Sequence, residues 1–327
     1  MRKLATGLVV VAAMAGGAYW WVHQPLKLTN GVAEVQLHRG EGARNIAADF
    51  VKAGVNTSED VLAILIKGAS MVSAFKAGTY ELKEGDSAWV LVRKLMKGEY
   101  AMRRVRIGEG WNILQVRAAL AKADGLHPDT QAMSEEQLLQ AVGLQGTSAE
   151  GMFFPDTYVY AKNTSDTAVL KMAAQAMQSK LQSAWEGRDP SIPIQNAYDL
   201  LKLASIVEKE TGHANDRGLV SAVFNNRLRI GMRLQTDPTV IYGIPNFNGN
   251  ITKADLQRDT PYNTYTRNGL PPTPIAMPSE AALQAAAHPD DSKALYFVAR
   301  GDGSGTSEFT TNLNDHNRAV QRFILKR

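Results

Sequence analysis

The chain reads as a mixed α+β protein: an N-terminal membrane-spanning helix, a small α+β module, and a larger mixed α+β domain that carries the chemistry. Three observations predict this. An uncharged apolar run from Leu4 to Val22 opens the sequence. Between Gly31 and Ala123 one pattern occurs three times, a short alternating strand followed by Glu-Gly and an amphipathic helix. Beyond it, helix-period stripes alternate with polar and proline-rich loops. A chain of 327 residues, 44% hydrophobic and 21% charged, has the length and composition for two globular units with a sizeable core. A net charge of +4, spread without an aromatic-and-basic patch, argues against nucleic acid as a partner. With no cysteine, disulfides, zinc-thiolate sites and thiol nucleophiles are excluded.

The opening run spans roughly 28 Å as a helix, enough to cross a bilayer. Arg2 and Lys3 precede it and predict a cytoplasmic start, with the remainder outside. Ala13-Met14-Ala15 leaves a cleaved signal peptide open. Tyr19, Trp20 and Trp21 favour retention, because amphipathic aromatics settle at the membrane interface.

The three repeats are VAEVQLHRGEG with ARNIAADFVKAG, GTYELKEG with DSAWVLVRKLMKG, and RRVRIGEG with WNILQVRAALAKADG. In the third helix Ile113, Val116 and Leu120 line one face, as a core-facing stripe does. Strands with helices on one side form a small α+β module, and the third copy leads into the larger domain. The expected boundaries are 1–23 for the anchor, 31–100 for the module and 101–327 for the catalytic domain.

From Asp124 to Gly146 the chain is polar, with a capped helix start at Ser134. Phe153 to Tyr158 places bulky aromatics around Pro155, a rigid extended piece that either packs into the core or faces sugar rings. A long helix from about Asp166 to Glu186 carries Met172 and Met177 on its apolar face.

The chemistry concentrates between Leu200 and Tyr242. At about 100° per residue, Leu200, Leu203, Ala204 and Val207 form one apolar stripe. Glu210 projects about 20° from Leu203 and extends that stripe, whereas Glu208 turns away from it. A carboxyl held against apolar neighbours resists ionisation, which suits it to donate a proton near neutrality. Glu210 is therefore the candidate acid, and Glu208 a solvated or structural carboxylate. Gly212 ends the helix directly after it, and Thr211 offers a hydroxyl to orient it. Asn226, Arg227, Gln235, Thr236 and Asp237 follow within one helical hairpin. The alternative for Glu210 is an ordinary exposed charge at a helix boundary.

Gly243 to Asp259 is loop-rich, and Tyr262 to Tyr265 begins a polar and aromatic run stiffened by Pro271, Pro272, Pro274 and Pro278. Tyr262, Asn263, Thr264 and Tyr265 are candidate substrate contacts, with Gln235 and Thr236 across the groove; a solvated connector is the alternative. Ser279 to Ala287 reads as a capped helix, Leu295 to Ala299 as a buried strand, and Phe309 belongs to a second strand ahead of a final helix from Asn314. Glu210 and His213 make an E-x-x-H pair, but further ligands are missing, so neither metal nor cofactor is expected. No nucleophile elbow, P-loop or dinucleotide fingerprint occurs.

ASIVEKET with FNNRLRIGMRLQTDPTVIYG, EGMFFPDTY at Glu150 to Tyr158, YNTY at Tyr262 to Tyr265, GLPPTPI at Gly269 to Ile275, and AAAHP ending at Pro289 together resemble the endolytic murein transglycosylases, the MltG or YceG-like family of membrane-anchored cell-wall enzymes. The resemblance implies that Glu210, second carboxylate of the EKE triplet, is the catalytic residue. It also implies a LysM-like module in the first two repeats, either glycan-binding or a spacer. Peptidoglycan glycan strands follow as substrate, peptidoglycan synthases as partners, and a single-pass location in the cell inner membrane with the catalytic domain in the periplasm. Met277 departs from the family, where Asn is common. The activity implied is that of a lyase cutting the MurNAc–GlcNAc bond of nascent strands to leave 1,6-anhydroMurNAc ends and terminate their elongation. A hydrolytic muramidase with Asp237 or Glu208 as second carboxylate, and a non-catalytic glycan-binding scaffold, are the alternatives.

Overall fold

The computed structural model describes residues 2–210 and 213–325, with side chains from 12 onward and at Val10. The chain forms two compact units. The first takes Met1–Arg104, Asp124–His127 and Val159–Thr164; the second takes Val105–Ala123, Pro128–Tyr158 and Ser165–Arg327.

The first unit begins with α1 (Arg2–His23), then β1 (Lys27–Leu28), β2 (Val32–Leu37), α2 (Ala43–Lys52), β3 (Val55–Asn56), α3 (Glu59–Ser70), β4 (Gly78–Lys83), α4 (Ala88–Lys97) and the start of β5 (Met102–Arg106). The strands alternate as the sequence does, so β2 and β4 pair antiparallel with Val35 opposite Tyr80 and turn Ala33, Val35, Leu37, Tyr80 and Leu82 into one core. Ile46 and Phe50 of α2, Leu62 and Ile66 of α3, and Leu91 and Leu95 of α4 close over it. Ser87 caps α4 through the Val90 amide, and Gly98 ends it in the left-handed region at φ 70°. Arg103 bridges Glu34 at 2.6 Å, Glu81 at 2.9 Å and Asp124 at 2.7 Å, which ties the returning segment to the module. Trp21 packs on this core while Tyr19 and Trp20 stay exposed, so the three aromatics do not act as one belt. Among the described residues no helix is long and apolar enough to cross a membrane.

The rest of the chain continues with α5 (Ile113–Ala121), β6 (Leu126–His127), α6 (Glu135–Val142), β7 (Thr157–Ala161), β8 (Thr164–Ser165), α7 (Asp166–Gly187) and α8 (Ala197–Glu210). A 3-10 turn at Ala214–Asp216 leads into α9 (Arg217–Arg229), followed by α10 (Asp237–Tyr242), α11 (Lys253–Gln257), α12 (Glu280–Ala287), β9 (Tyr296–Ala299), β10 (Ser307–Thr310) and α13 (Leu313–Phe323). Among the described residues the strands form two-stranded pairs: β1–β3, β2–β4, β5–β7, β6–β8 and β9–β10.

The second unit is built around α8. Its stripe widens into a helix buried on most sides, with Leu200, Leu201, Leu203, Ala204, Ile206 and Val207 all inaccessible. Helices α7, α9, α10 and α12 pack against it. Even its serine works inward: buried Ser205 donates to the Lys202 carbonyl and accepts the Ile275 amide, fixing the proline-rich loop to the helix. That loop runs on to Met277, whose amide and carbonyl pair with Trp111 and Gly110. Met277 is itself fully buried.

Several expectations need correcting here. The open reading of the aromatic pair is decided for the core, since Phe153 is fully buried and half-buried Phe154 packs on the same core as α8. Met177 is core, but Met172 is 38% exposed, because the buried stripe of α7 runs through Val169, Ala173 and Met177. Strand β9 is half-buried and, among the described residues, pairs with β10 alone, not a core strand. The loop-rich stretch after Gly243 contains α11, closed by a Thr252–Asp255 capping box.

Candidate active site

Glu210 is the last residue of α8. The helix delivers it to the edge of the core, where it is half-buried rather than solvated. Its Oε1 accepts the hydroxyl of Thr236, the N-cap of α10. Burial pushes its pKa up; the Thr236 hydrogen bond and the Arg227 charge oppose this, and the negative Asp237 adds to it. The C-terminal end of a helix is also the wrong end for an anion, which favours the protonated form. Thr211 and Gly212, expected to orient the carboxyl and to end the helix, lie outside the described residues.

The loop that carries Thr236 is over-determined. Gln235 takes a left-handed conformation, φ 50°, uncommon for a side-chain-bearing residue and a mark of a constrained site. Its amide donates to the Thr264 carbonyl at 3.1 Å, and the Thr236 amide donates to the Thr264 hydroxyl at 3.1 Å. Thr239 shares a hydrogen bond with that hydroxyl at 2.8 Å and is wholly buried. Tyr265 donates its phenol to Asp237 at 2.6 Å. The YNTY and QTDPT segments are therefore two halves of one clamp on Glu210.

This clamp revises the roles expected of the candidates. Thr236 is 1% exposed and Thr264 2%, so neither is placed as an exposed glycan contact; Thr236 holds the Glu210 carboxyl and Thr264 holds Thr236. Asn263 is fully buried, its amide spent on the carbonyls of Asp255, Leu256 and Arg258, and its oxygen on the Tyr265 amide. Tyr262 is half-buried, with its ring edge-on to Tyr242 and its hydroxyl bonded to Thr273. Of the six substrate contacts expected, Gln235 is the exposed one and half-buried Tyr265 stands beside Asp237.

The secondary candidates separate as well. Asp237 stays in the cluster, close enough for its charge to act on Glu210. Glu208 instead accepts the amide and hydroxyl of Ser279, at 3.0 and 2.5 Å, where Ser279 caps α12. It is a structural carboxylate. Asn226 donates to the carbonyls of Ser292 and Ala294, which fixes a loop rather than binding substrate. Arg227, its neighbour, is 7% exposed and donates to the carbonyls of Leu295 and Leu234 at 2.7 and 2.6 Å. Burial lowers its pKa, yet an arginine remains charged at neutral pH, giving a fixed positive field beside Glu210. Sequence reasoning could place Arg227 near the site by its spacing, but not show that its Nε and Nη1 donors are spent on backbone carbonyls. A cavity of about 560 Å³ against β10 and α13, lined by Phe309, Asp315, Arg318, Arg322 and Phe323, contains none of these groups.

Among the described residues, the arrangement presents a half-buried carboxyl with Oε1 held by the Thr236 hydroxyl. The chain is also similar to known proteins over most of its length. A family model described as the YceG-like family matches residues 35–322. An endolytic murein transglycosylase of Bacillus subtilis (strain 168) is 30% identical over 334 residues, covering 94% of this chain and 91% of that protein. The Streptococcus pneumoniae (serotype 2, strain D39) protein of the same description is 27% identical over 359 residues, 97% of this chain but 64% of the relative. A crystal structure of a YceG-like protein from Listeria monocytogenes superposes with a TM-score of 0.55 at 26% identity, covering 89% of this chain and 99% of the other.

Proposed function

Because this chain belongs to the YceG-like family, we propose that it cuts peptidoglycan glycan strands as an endolytic murein transglycosylase, with Glu210 as its single acid and base. It is a lyase. The observation that carries the mechanism is the half-buried Glu210 carboxyl at the end of α8, with Oε1 held by Thr236.

A protonated Glu210 gives its Oε2 proton to the glycosidic oxygen between MurNAc and GlcNAc, and the bond to the anomeric carbon breaks. Most glycosidases then need a second carboxylate to act as nucleophile or to activate water. A muramic acid carries its own nucleophile. Its C6 hydroxyl attacks the anomeric carbon within the same sugar, a step favoured by the high effective molarity of intramolecular reactions. Glu210, now a carboxylate, takes the hydroxyl proton and returns to its starting state. The product is a 1,6-anhydroMurNAc end, and no water is consumed. Asp237, tied to Tyr265, acts by its charge: it keeps Glu210 protonated. Gln235 and Tyr265 are the groups we place on the glycan. Glu210→Gln is expected to abolish release of fragments from glycan strands while cosedimentation with them persists; an active variant would falsify the assignment.

The anchor, module and partner belong to the same proposal. In the sequence, the apolar run from Leu4 to Val22 behind Arg2 and Lys3 supports a single-pass inner-membrane anchor with the rest periplasmic. Release of the chain from membranes by alkaline carbonate counts against it. The β2–β4 pair with α2 and α4 supports a LysM-like, glycan-binding reading of the first unit, for which undiminished glycan binding after deletion of 31–100 is the adverse result. Action on nascent strands beside peptidoglycan synthases follows from a terminator's role; failure of a synthase to co-purify after cross-linking argues against it.

A further inference from the structure

Glu150 is a buried ionisable group that the acid-base cycle does not use. It is wholly inaccessible. Its Oε2 accepts the amide of Ile113, in the first turn of α5, at 3.1 Å, and the phenol of Tyr242 at 3.0 Å. Its Oε1 is buried and has no hydrogen-bond partner among the described residues. A carboxyl in that state costs stability, so an apolar side chain would fill the space better. What the glutamate adds is two directed hydrogen bonds, one of them to α10.

Helix α10 is six residues long, too short to hold its own position. Thr264 and Tyr265 fix its front end, where Thr236 and Asp237 meet Glu210. Tyr242 is its last residue and donates to Glu150. Glu150 is itself held in place: the following Gly151 lies at φ 77°, and a Cβ there would sit 2.5 Å from that of Pro274.

We infer that Glu150 is a positioning residue for the transglycosylase reaction: by accepting the Tyr242 phenol it sets α10 in the place from which Thr236 and Asp237 act on Glu210. This rests on Glu210 being the acid. The ionisable groups whose charge couples to Glu150 are Tyr242 of α10, Glu135 of α6 and Tyr198 of α8. Burial raises its pKa to about 7 against the pull of its hydrogen bonds, so neutral pH populates both forms, the carboxylate being the stronger acceptor for Tyr242.

The test is a kinetic double-mutant cycle on the full chain, reading kcat and KM for anhydro-ended fragments from purified glycan strands, with Tm measured in parallel. Tyr242→Phe, which removes one oxygen, is expected to lower kcat about tenfold or more with KM within about twofold, as misplacement of a catalytic group does. Glu150→Ala is expected to lose at least as much, and the double variant no more than Glu150→Ala alone. Glu150→Gln, which keeps an acceptor oxygen for Tyr242, should recover kcat to within about threefold of wild type. Additive losses, an unimpaired Tyr242→Phe, or a Gln variant no better than Ala would overturn the inference. A Glu210→Gln control in the same assay reports separately on the acid, because the coupling between Glu150 and Tyr242 is read whichever residue donates the proton.

Discussion

Glu210 sits against its neighbours so that two single changes should move its pKa in opposite directions. The Asp237 charge raises it and the Thr236 hydroxyl lowers it. The acid form starts the reaction, so kcat falls as pH rises through that pKa. Asp237→Asn should move this alkaline limb to lower pH, and Thr236→Val should move it to higher pH while reducing the maximum. A pH–rate profile of the two variants decides; shifts of the same sign contradict the assignment. Glu150 offers a stability test. A carboxyl raised from 4.5 to about 7 contributes stability that is intact below the unfolded value and lost as pH rises through the folded one. Glu150→Gln should therefore gain on wild type between about pH 4.5 and 7, by roughly 2–4 kcal/mol in denaturant titrations. No change in the difference across that range would refute it. At this scale the sequence pointed to Glu210 as the proposed acid, because it shares a face with Leu203 and Val207. The fates of Asn263 and Thr264 were hidden: a polar loop residue looks solvent-facing until the fold shows which carbonyls consume its donors.

At the scale of elements, α8 is held from the side by α12, whose N-cap Ser279 takes the hydroxyl-to-Glu208 bond and caps the Ala282 amide. Ser279→Ala removes both, and should cost about 1 kcal/mol or somewhat more, lowering Tm by about 2–4 °C. An unchanged Tm would mean that the Glu208 contact holds nothing. The helices with clear stripes or caps were legible, as were the three strand–Glu-Gly–helix repeats, whose strands and helices are β2 with α2, β4 with α4, and β5 with α5. Helix α3 was not. It lacks the strand cue, and apolar residues occur on both faces: Leu62 and Ile66 are buried while Val61 and Ile64 are exposed. Short α10 could not be read either, since tertiary hydrogen bonds rather than propensity hold it.

For the whole molecule, the sequence pointed to a small module followed by a larger domain. It could not show that the first unit reclaims Asp124–His127 and Val159–Thr164, because that return depends on tertiary pairs such as Arg103 with Asp124 and Asn163 with Thr79. The central claim concerns the second unit: one carboxyl serves both proton transfers, and the substrate supplies its own nucleophile. Digestion of glycan strands in heavy-oxygen water, followed by mass spectrometry of the new ends, tests it most directly. We expect unlabelled 1,6-anhydro ends, each lighter by one water than the hydrolytic product. Reducing muramic acid ends carrying the heavy oxygen would contradict the account and make Asp237 the activator of water.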